Sequence, residues 1–160
     1  MKYFMNAMKG ALLAVVATAL ISVPAMAGEY KGPSLSGQTV TISGPWLTAD
    51  EESFEAVIAY FEKATGAKVE YAGSDSFEQQ IVIDIKAGSP PNLAAFPQPG
   101  LAANMAAIGG LVPLGSSTAN WVKSNYAAGQ SWVDLGTYPS KSGKKEFYGF
   151  FFNVNVKSLV

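Results

Sequence analysis

Apolar and polar residues follow two different periods along the chain, and each period predicts a different element. Residues 38–43 and 67–71 alternate residue by residue, which is typical of half-buried β-strands. After each of them, apolar residues recur every three or four positions, as they do on one face of an amphipathic helix. The first of these helices is predicted to begin at a capping box of Thr48 and Glu51 and to end at Gly66.

The apolar face of each predicted helix is expected to pack against the sheet. In the first helix this face comprises Phe54, Val57, Ile58 and Phe61, and in the second it comprises Phe77, Ile81 and Ile85. A third strand over residues 93–96 and a third helix over residues 100–108 complete the order β-α-β-α-β-α. This order predicts an α/β fold in which helices flank a parallel sheet.

The pattern is weaker toward the end of the chain. Residues 119–127 are interpreted as a helix that carries Trp121 and Val122, and residues 137–146 as a polar surface loop. Residues 147–156 are rich in aromatic and β-branched side chains and predict a strand.

The predicted topology also indicates where a ligand would bind. In open parallel sheets, ligands bind outside the carboxyl ends of the strands. Three loops lie at such ends, residues 44–46, 73–75 and 97–98. We therefore expect these loops to converge on one edge of the sheet and to form a binding site.

Five polar or aromatic side chains are candidate ligand contacts: Trp46, Asp75, Gln98, Asn153 and Asn155. Trp46 would stack its indole on the apolar face of a sugar ring or, alternatively, pack over the start of the helix. Asp75 would accept hydrogen bonds from ligand hydroxyls, serve as a helix N-cap, or do both. Gln98 lies between two prolines that restrict its loop. Asn153 and Asn155 are amides on one face of an aromatic strand, placed either at a sheet edge or toward a ligand.

Asp50, Glu51 and Glu52 form an acidic cluster with two alternative roles. Paired carboxylates catalyse glycoside hydrolysis, so a secreted glycoside hydrolase is the runner-up function. The same residues lie in the first turn of a predicted helix, where the helix dipole favours each negative charge by about 0.3–1 kcal/mol. We prefer this structural role for the acidic cluster.

Composition restricts the chemistry further. The chain contains no Cys, His or Arg. A disulfide, a histidine-based catalytic triad, an imidazole metal site and a bidentate guanidinium contact to phosphate therefore cannot form. No basic patch indicates nucleic-acid binding, and no cofactor or metal is expected. A neutral, polyhydroxylated ligand fits this composition better than an anion does.

The amino terminus has the organisation of a secretory signal peptide. Lys2 and Lys9 precede an apolar run over residues 10–23, and an A-x-A processing site follows at residues 25–27. The run of about 14 residues is shorter than the roughly 20 that a membrane-spanning helix needs. Residues 1–27 are therefore predicted to be cleaved after Ala27 and the mature chain to be exported.

Five segments of the mature chain occur in a recognisable order: QTVTISGPW, FEAVIAYFEKATGAKVEYAGSDSFEQQI, IKAGSPPNLAAFPQPG, LAANMAAIGGLVPL and FYGFFFNVNVKSLV. Together they resemble the extracellular solute-binding proteins of ABC sugar importers, family 1 type, and most of all the α-glucoside-binding branch. The resemblance implies a periplasmic-binding-protein-like fold, in which two α/β lobes joined by crossover strands enclose a sugar. It implies that residues 28–146 are a partial N-terminal lobe and residues 147–160 the first crossover strand toward a missing second lobe, as in a truncated N-terminal part.

The resemblance also implies a function, its partners and a location. It implies a periplasmic protein that delivers a neutral oligosaccharide, an α-glucoside by its branch, to an inner-membrane ABC permease. The protein would bind its ligand and would not be an enzyme, and its full-length form would be a monomer. Trp46, Asp75, Gln98, Asn153 and Asn155 match loop positions that line the sugar cleft in this family. A role as a sugar-sensing binding module outside transport is an alternative.

Overall fold

A three-stranded parallel sheet organises residues 30–152, the part of the chain that the structure, a computed structural model, describes. Its strands are β1 (Thr39–Gly44), β2 (Lys68–Gly73) and β3 (Leu93–Ala94), in the spatial order β2-β1-β3. Both pairings of β1 are parallel. The predicted α/β fold with a parallel sheet is therefore confirmed, although β3 is shorter than the predicted strand over residues 93–96.

Residues 30–152 contain five helices: α1 (Ala49–Thr65), α2 (Phe77–Ala87), α3 (Pro99–Ala107), α4 (Gly115–Asn125) and α5 (Gly129–Leu135). The first four correspond to predicted helices. The glycines that follow α1 and α2 adopt left-handed backbone angles, with φ of 78° at Gly66 and 75° at Gly88. Glycine adopts these angles without a Cβ clash, which explains why both helices end there. Within residues 30–152, no helix has the length and apolar character that crossing a membrane requires.

The core lies where α2, α3 and α4 meet the sheet and the hairpin that follows α5. Phe77 and Ile81 on α2 are each only 2% exposed, as their helical spacing predicts. Ala106 on α3 and Val122 on α4 are fully buried, and Phe147 is 7% exposed. The core residues of α2 therefore come from the predicted apolar face of that helix.

The interpretation of residues 137–146 as a surface loop is wrong. These residues contribute to an antiparallel hairpin of β4 (Thr137–Pro139) and β5 (Lys145–Phe147). Only the tip is a turn, in which Ser140 N–H donates to Lys144 O at 2.8 Å. The polar tip obscured strands of three residues each, since so short a strand has too few alternating positions to give a recognisable pattern. Helix α5 was likewise not predicted.

Two details of α1 also differ from the prediction. Thr48 has φ 54° and ψ −122° and makes no side-chain capping bond, so the predicted capping box is absent. A capping threonine needs an extended backbone to aim its hydroxyl at the first turn, and Thr48 lacks that geometry. Of the predicted apolar face, Phe54 and Ile58 are half-buried, whereas Val57 is 63% and Phe61 39% exposed. The face that α1 buries is therefore narrower than predicted.

The predicted strand over residues 147–156 is only partly within the described residues. Phe147 is the last residue of β5, and residues 148–152 have no regular secondary structure. The rest of the predicted strand, with Asn153 and Asn155, lies outside the described residues, as does the predicted signal peptide over residues 1–27.

Candidate ligand-binding site

A cleft of about 960 Å³ runs along β3, from residues 90–92 before the strand to residues 96–98 after its carboxyl end. One side is formed by strand-end loops and includes Trp46, Phe96 and Gln98. Tyr138 of the hairpin and the segment 148–152 line it as well. The cleft is therefore shaped by residues from both halves of the described chain.

The register of the sheet brings the strand-end loops together, as the topology predicts. Gly44 at the end of β1 lies opposite Gly73 at the end of β2. Ser74 N–H donates to Gly44 O at 3.0 Å, and Ala95 N–H donates to Ser43 O at 2.8 Å. All three strands therefore end at the same level, and the loops after them start side by side.

Trp46 lines the cleft and also belongs to a cluster of aromatic rings. Its ring centroid lies 4.8 Å from that of Phe54, 6.1 Å from that of Tyr71 and 5.3 Å from that of Phe152. Its backbone N–H donates to the Tyr71 hydroxyl at 3.0 Å, and that hydroxyl donates to Trp46 O at 3.2 Å. Packing and ligand contact are thus compatible, because Trp46 is half-buried and still faces the cleft.

Gln98 lines the cleft at the start of α3, where Pro99 occupies the first helical turn. Its backbone is extended, with φ −139° and ψ 134°, and its side chain makes no capping bond. The side-chain Nε2 donates instead to Glu78 Oε1 at 3.2 Å. Because Glu78 takes the amide nitrogen, the amide oxygen of Gln98 stays available to accept a hydrogen bond.

Glu78 was not among the predicted site residues. It lies in the first turn of α2. Its contact with Gln98 joins residues 20 positions apart, which no local pattern indicates.

Asp75 does not line the cleft, in contrast to Trp46 and Gln98. It is exposed in the turn before α2, and its Oδ1 accepts a hydrogen bond from Ser76 Oγ at 3.2 Å. The N-cap position of α2 is Ser76, so the interpretation of Asp75 as the N-cap is wrong. Asn153 and Asn155 lie outside the described residues.

The lining of the cleft is aromatic, aliphatic and uncharged among residues 30–152. Its polar groups include Asn92, whose Oδ1 already accepts from Thr41 N–H at 2.9 Å and from Thr41 Oγ1 at 3.1 Å. Tyr138 and Tyr148 add two phenols with stacked rings, 6.4 Å apart and 12° from parallel. Burial raises the pKa of both phenols above the ordinary value of 10.0.

Tyr138 and Tyr148 were missed by the sequence prediction. Tyr138 falls in the predicted loop and Tyr148 in the predicted strand over residues 147–156, and the β4–β5 hairpin brings them together.

No carboxylate of the described chain lines the cleft, and Asp50, Glu51 and Glu52 remain in the first turn of α1. The carboxylate pair that glycoside hydrolysis requires is therefore not found around this cleft in residues 30–152. Over the same range, no group of three or more acidic residues is arranged to hold a metal ion.

The known proteins with similar sequences are binding proteins. Residues 44–155 match the family described as bacterial extracellular solute-binding protein. Over 130 residues, the chain is 56% identical to the alpha-glucosides-binding periplasmic protein AglE of Rhizobium meliloti, which covers 81% of this chain and 28% of that protein. Over 149 residues, it is 36% identical to the osmoprotective compounds-binding protein GgtB of Synechocystis sp., covering 91% of this chain and 34% of that protein. The chain therefore spans about a third of the length of these curated relatives.

Proposed function

Because the chain belongs to the bacterial extracellular solute-binding protein family, we propose that it is part of the binding component of an ABC importer and that its ligand is a neutral α-glucoside. The family description and the names of both relatives are those of binding proteins. The prediction of a binding protein rather than an enzyme is thereby confirmed, and the glycoside hydrolase alternative is not pursued.

The observation that carries the ligand class is the 56% identity to an alpha-glucosides-binding protein across 81% of this chain. The chemistry of the cleft supports the same class. Its described lining has no charged side chain, so it offers an ionic ligand no counter-charge. Aromatic faces and neutral polar groups suit a sugar, whose C–H surface packs on rings and whose hydroxyls donate and accept hydrogen bonds.

Each candidate residue has a distinct role in this proposal. Trp46 stacks on a sugar ring, and the free amide oxygen of Gln98 accepts a hydrogen bond from a ligand hydroxyl. Asp75 lies outside the cleft lining, so it contacts only a ligand that extends beyond the described walls. Asn153 and Asn155 rest on the sequence alone and would add amide groups from the segment that follows Phe152.

The wider proposal concerns location and transport. Residues 1–27 direct export to the periplasm, residues 28–146 belong to one lobe, and residues 147–160 lead toward another. Closure of two lobes about such a connection would trap the sugar, a motion of the hinge type. The closed form would then dock on an inner-membrane permease. The greater length of both relatives supports a second lobe.

Isothermal titration of the full-length protein tests the ligand class. Maltose, trehalose and sucrose are the α-glucoside probes, and cellobiose is the matched β-linked control. We expect Trp46→Ala to weaken α-glucoside binding about tenfold or more, since a stacked aromatic side chain contributes more than 1 kcal/mol in many sites. Trp121→Ala is the control, because Trp121 is a half-exposed tryptophan outside the cleft lining.

Three results would contradict this proposal: equal binding of cellobiose, binding of charged solutes only, or equal losses in the two tryptophan variants.

The name of the second relative suggests a further ligand class, osmoprotective compounds. Glycine betaine, titrated in the same way, distinguishes that class from α-glucosides. A sugar-sensing role is distinguished by uptake, because deletion of the gene would then leave α-glucoside import unchanged.

A further inference from the structure

The hydroxyl of Tyr71 makes two hydrogen bonds to the backbone of one residue, Trp46. It accepts from Trp46 N–H at 3.0 Å and donates to Trp46 O at 3.2 Å. We call these two bonds the Tyr71 bridge. The residues are 25 positions apart, on β2 and in the loop after β1. A single side chain therefore satisfies both polar backbone groups of Trp46, a residue that lines the cleft.

The ring of Tyr71 supports the same residue from a second direction. Its centroid lies 6.1 Å from that of Trp46 in a stacked arrangement and 5.1 Å from that of Phe54 in an edge arrangement. Phe54 in turn lies 4.8 Å from Trp46. Mutual contact among three rings restricts the orientations open to the indole, because each ring blocks part of the space that another would need to rotate.

Two glycines leave the space that this arrangement occupies. Gly44 and Gly73 lie opposite each other at the ends of β1 and β2. A Cβ atom at Gly44 would lie 2.9 Å from the Tyr71 hydroxyl oxygen, and one at Gly73 would overlap the carbonyl oxygen of Trp46. Any larger residue at either strand end would therefore push against the Tyr71 bridge.

We propose that Tyr71 is a positioning residue that orients the Trp46 indole for ligand stacking and thereby sets the affinity of the cleft. Tyr71 is absent from the cleft lining, so it acts on a ligand only through Trp46. This role rests on the proposed function as a sugar-binding protein. Neither the family match nor the pattern of the sequence assigns it.

The test compares Tyr71→Phe with Tyr60→Phe in the full-length protein. The first variant removes the Tyr71 bridge and keeps the ring, and the second removes a phenol from the exposed side of α1. Fluorine NMR of protein labelled with 5-fluorotryptophan reports on each indole, and Trp46→Phe assigns the Trp46 signal. We expect Tyr71→Phe to shift or broaden that signal alone, leaving those of Trp121 and Trp132 unchanged. We also expect it to weaken maltose binding by up to about tenfold, the scale of the aromatic contact that a misoriented Trp46 indole would lose.

The outcomes separate the positioning role from the proposed function. An unchanged Trp46 signal in Tyr71→Phe, or unchanged affinity in a protein that binds maltose, overturns the positioning role. If the Trp46 signal responds and the wild-type protein binds none of the sugars, the proposed function fails while the link between Tyr71 and Trp46 stands.

If Tyr71→Phe does not fold, amide hydrogen exchange of the wild-type protein still tests the proposal. In the wild-type protein, the Tyr71 bridge predicts that Trp46 N–H exchanges at least about tenfold more slowly than an unprotected amide. An unprotected Trp46 amide overturns the proposal without any substitution.

Discussion

At the scale of single residues, the phenols beside the cleft make stability depend on alkaline pH. Burial raises the pKa of Tyr138 above the ordinary 10.0. As pH rises past 10.0, the unfolded chain loses this proton first, whereas the folded chain still keeps it. The stability contribution is therefore complete below the ordinary pKa and is lost as pH rises through the folded one.

We predict that Tyr138→Phe lessens the alkaline loss of stability. In urea unfolding from about pH 9 to pH 11, the free energy of unfolding of the variant should fall less steeply than that of the wild type. The two slopes should differ by less than about 1.4 kcal/mol per pH unit, the limit for one proton. The Tyr138→Phe variant still contains other groups that act in the same direction, because burial also raises the pKa of Tyr71 and Tyr148, so its alkaline loss is reduced and not abolished. The range from about pH 7 to pH 9 provides the internal control, because there the free energies of unfolding of the wild type and the variant should change with pH in parallel. Identical slopes above pH 10 would contradict the prediction.

The candidate site shows what can be predicted at this scale. Trp46 and Gln98 were recognised because each follows a predicted strand, and both line the cleft. Asp75 satisfies the same rule and yet lies outside the lining. A position just after a strand places a residue at the carboxyl end of the sheet. It does not determine the direction in which the following loop turns.

At the scale of elements, the start of α1 is strained. Thr48 has φ 54° and ψ −122°, a region that favours glycine, since a Cβ there contacts the backbone. It gains no capping bond in return.

We predict that Thr48→Gly raises the free energy of unfolding by about 1 kcal/mol, the lower end of the cost of such backbone strain. Thermal or urea unfolding measures the difference. The matched control is Ser76→Gly at the N-cap of α2, where φ is −96° and no such strain exists. The free energy of unfolding of Ser76→Gly should be unchanged or lower, because glycine adds conformational entropy to the unfolded chain. A loss of stability in Thr48→Gly would show that the threonine is not strained.

The elements differ in how far local sequence determines them. α1 and α2 have enough turns for apolar spacing to be visible and end at glycines with positive φ. The hairpin strands have three residues each, and α5 has seven. Elements this short depend on contacts with distant parts of the chain, such as Leu114 N–H donating to Phe147 O at 2.8 Å.

At the scale of the whole molecule, the two edges of the described sheet differ. β2 carries Lys68 and Glu70 at its edge, and charges of this kind oppose pairing with another strand. β3 forms the opposite edge, where Leu93 is 53% exposed and no charged residue occurs in the strand. The β3 edge is therefore less protected against pairing than the β2 edge.

We predict that residues 28–160, produced alone, self-associate through the β3 edge. Light scattering over a range of concentrations should detect oligomers, and Leu93→Lys should reduce them by placing a charge on that edge. Val57→Lys is the matched control, because Val57 is exposed on α1 and away from the edge. A monomer with a sharp cooperative melt, or equal effects of both lysines, would contradict this prediction.

The sequence by itself determined the α/β class, the parallel order of the sheet, the long helices and the solute-binding family. These depend on spacing within a few residues or on the similarity of whole segments, and both are present in the linear chain. Only the tertiary structure decided which side chains share the cleft. It placed Tyr138 and Tyr148 in the lining, left Asp75 outside it, and joined Tyr71 to Trp46. These relations arise from the packing of elements that are distant in sequence, so no local period encodes them.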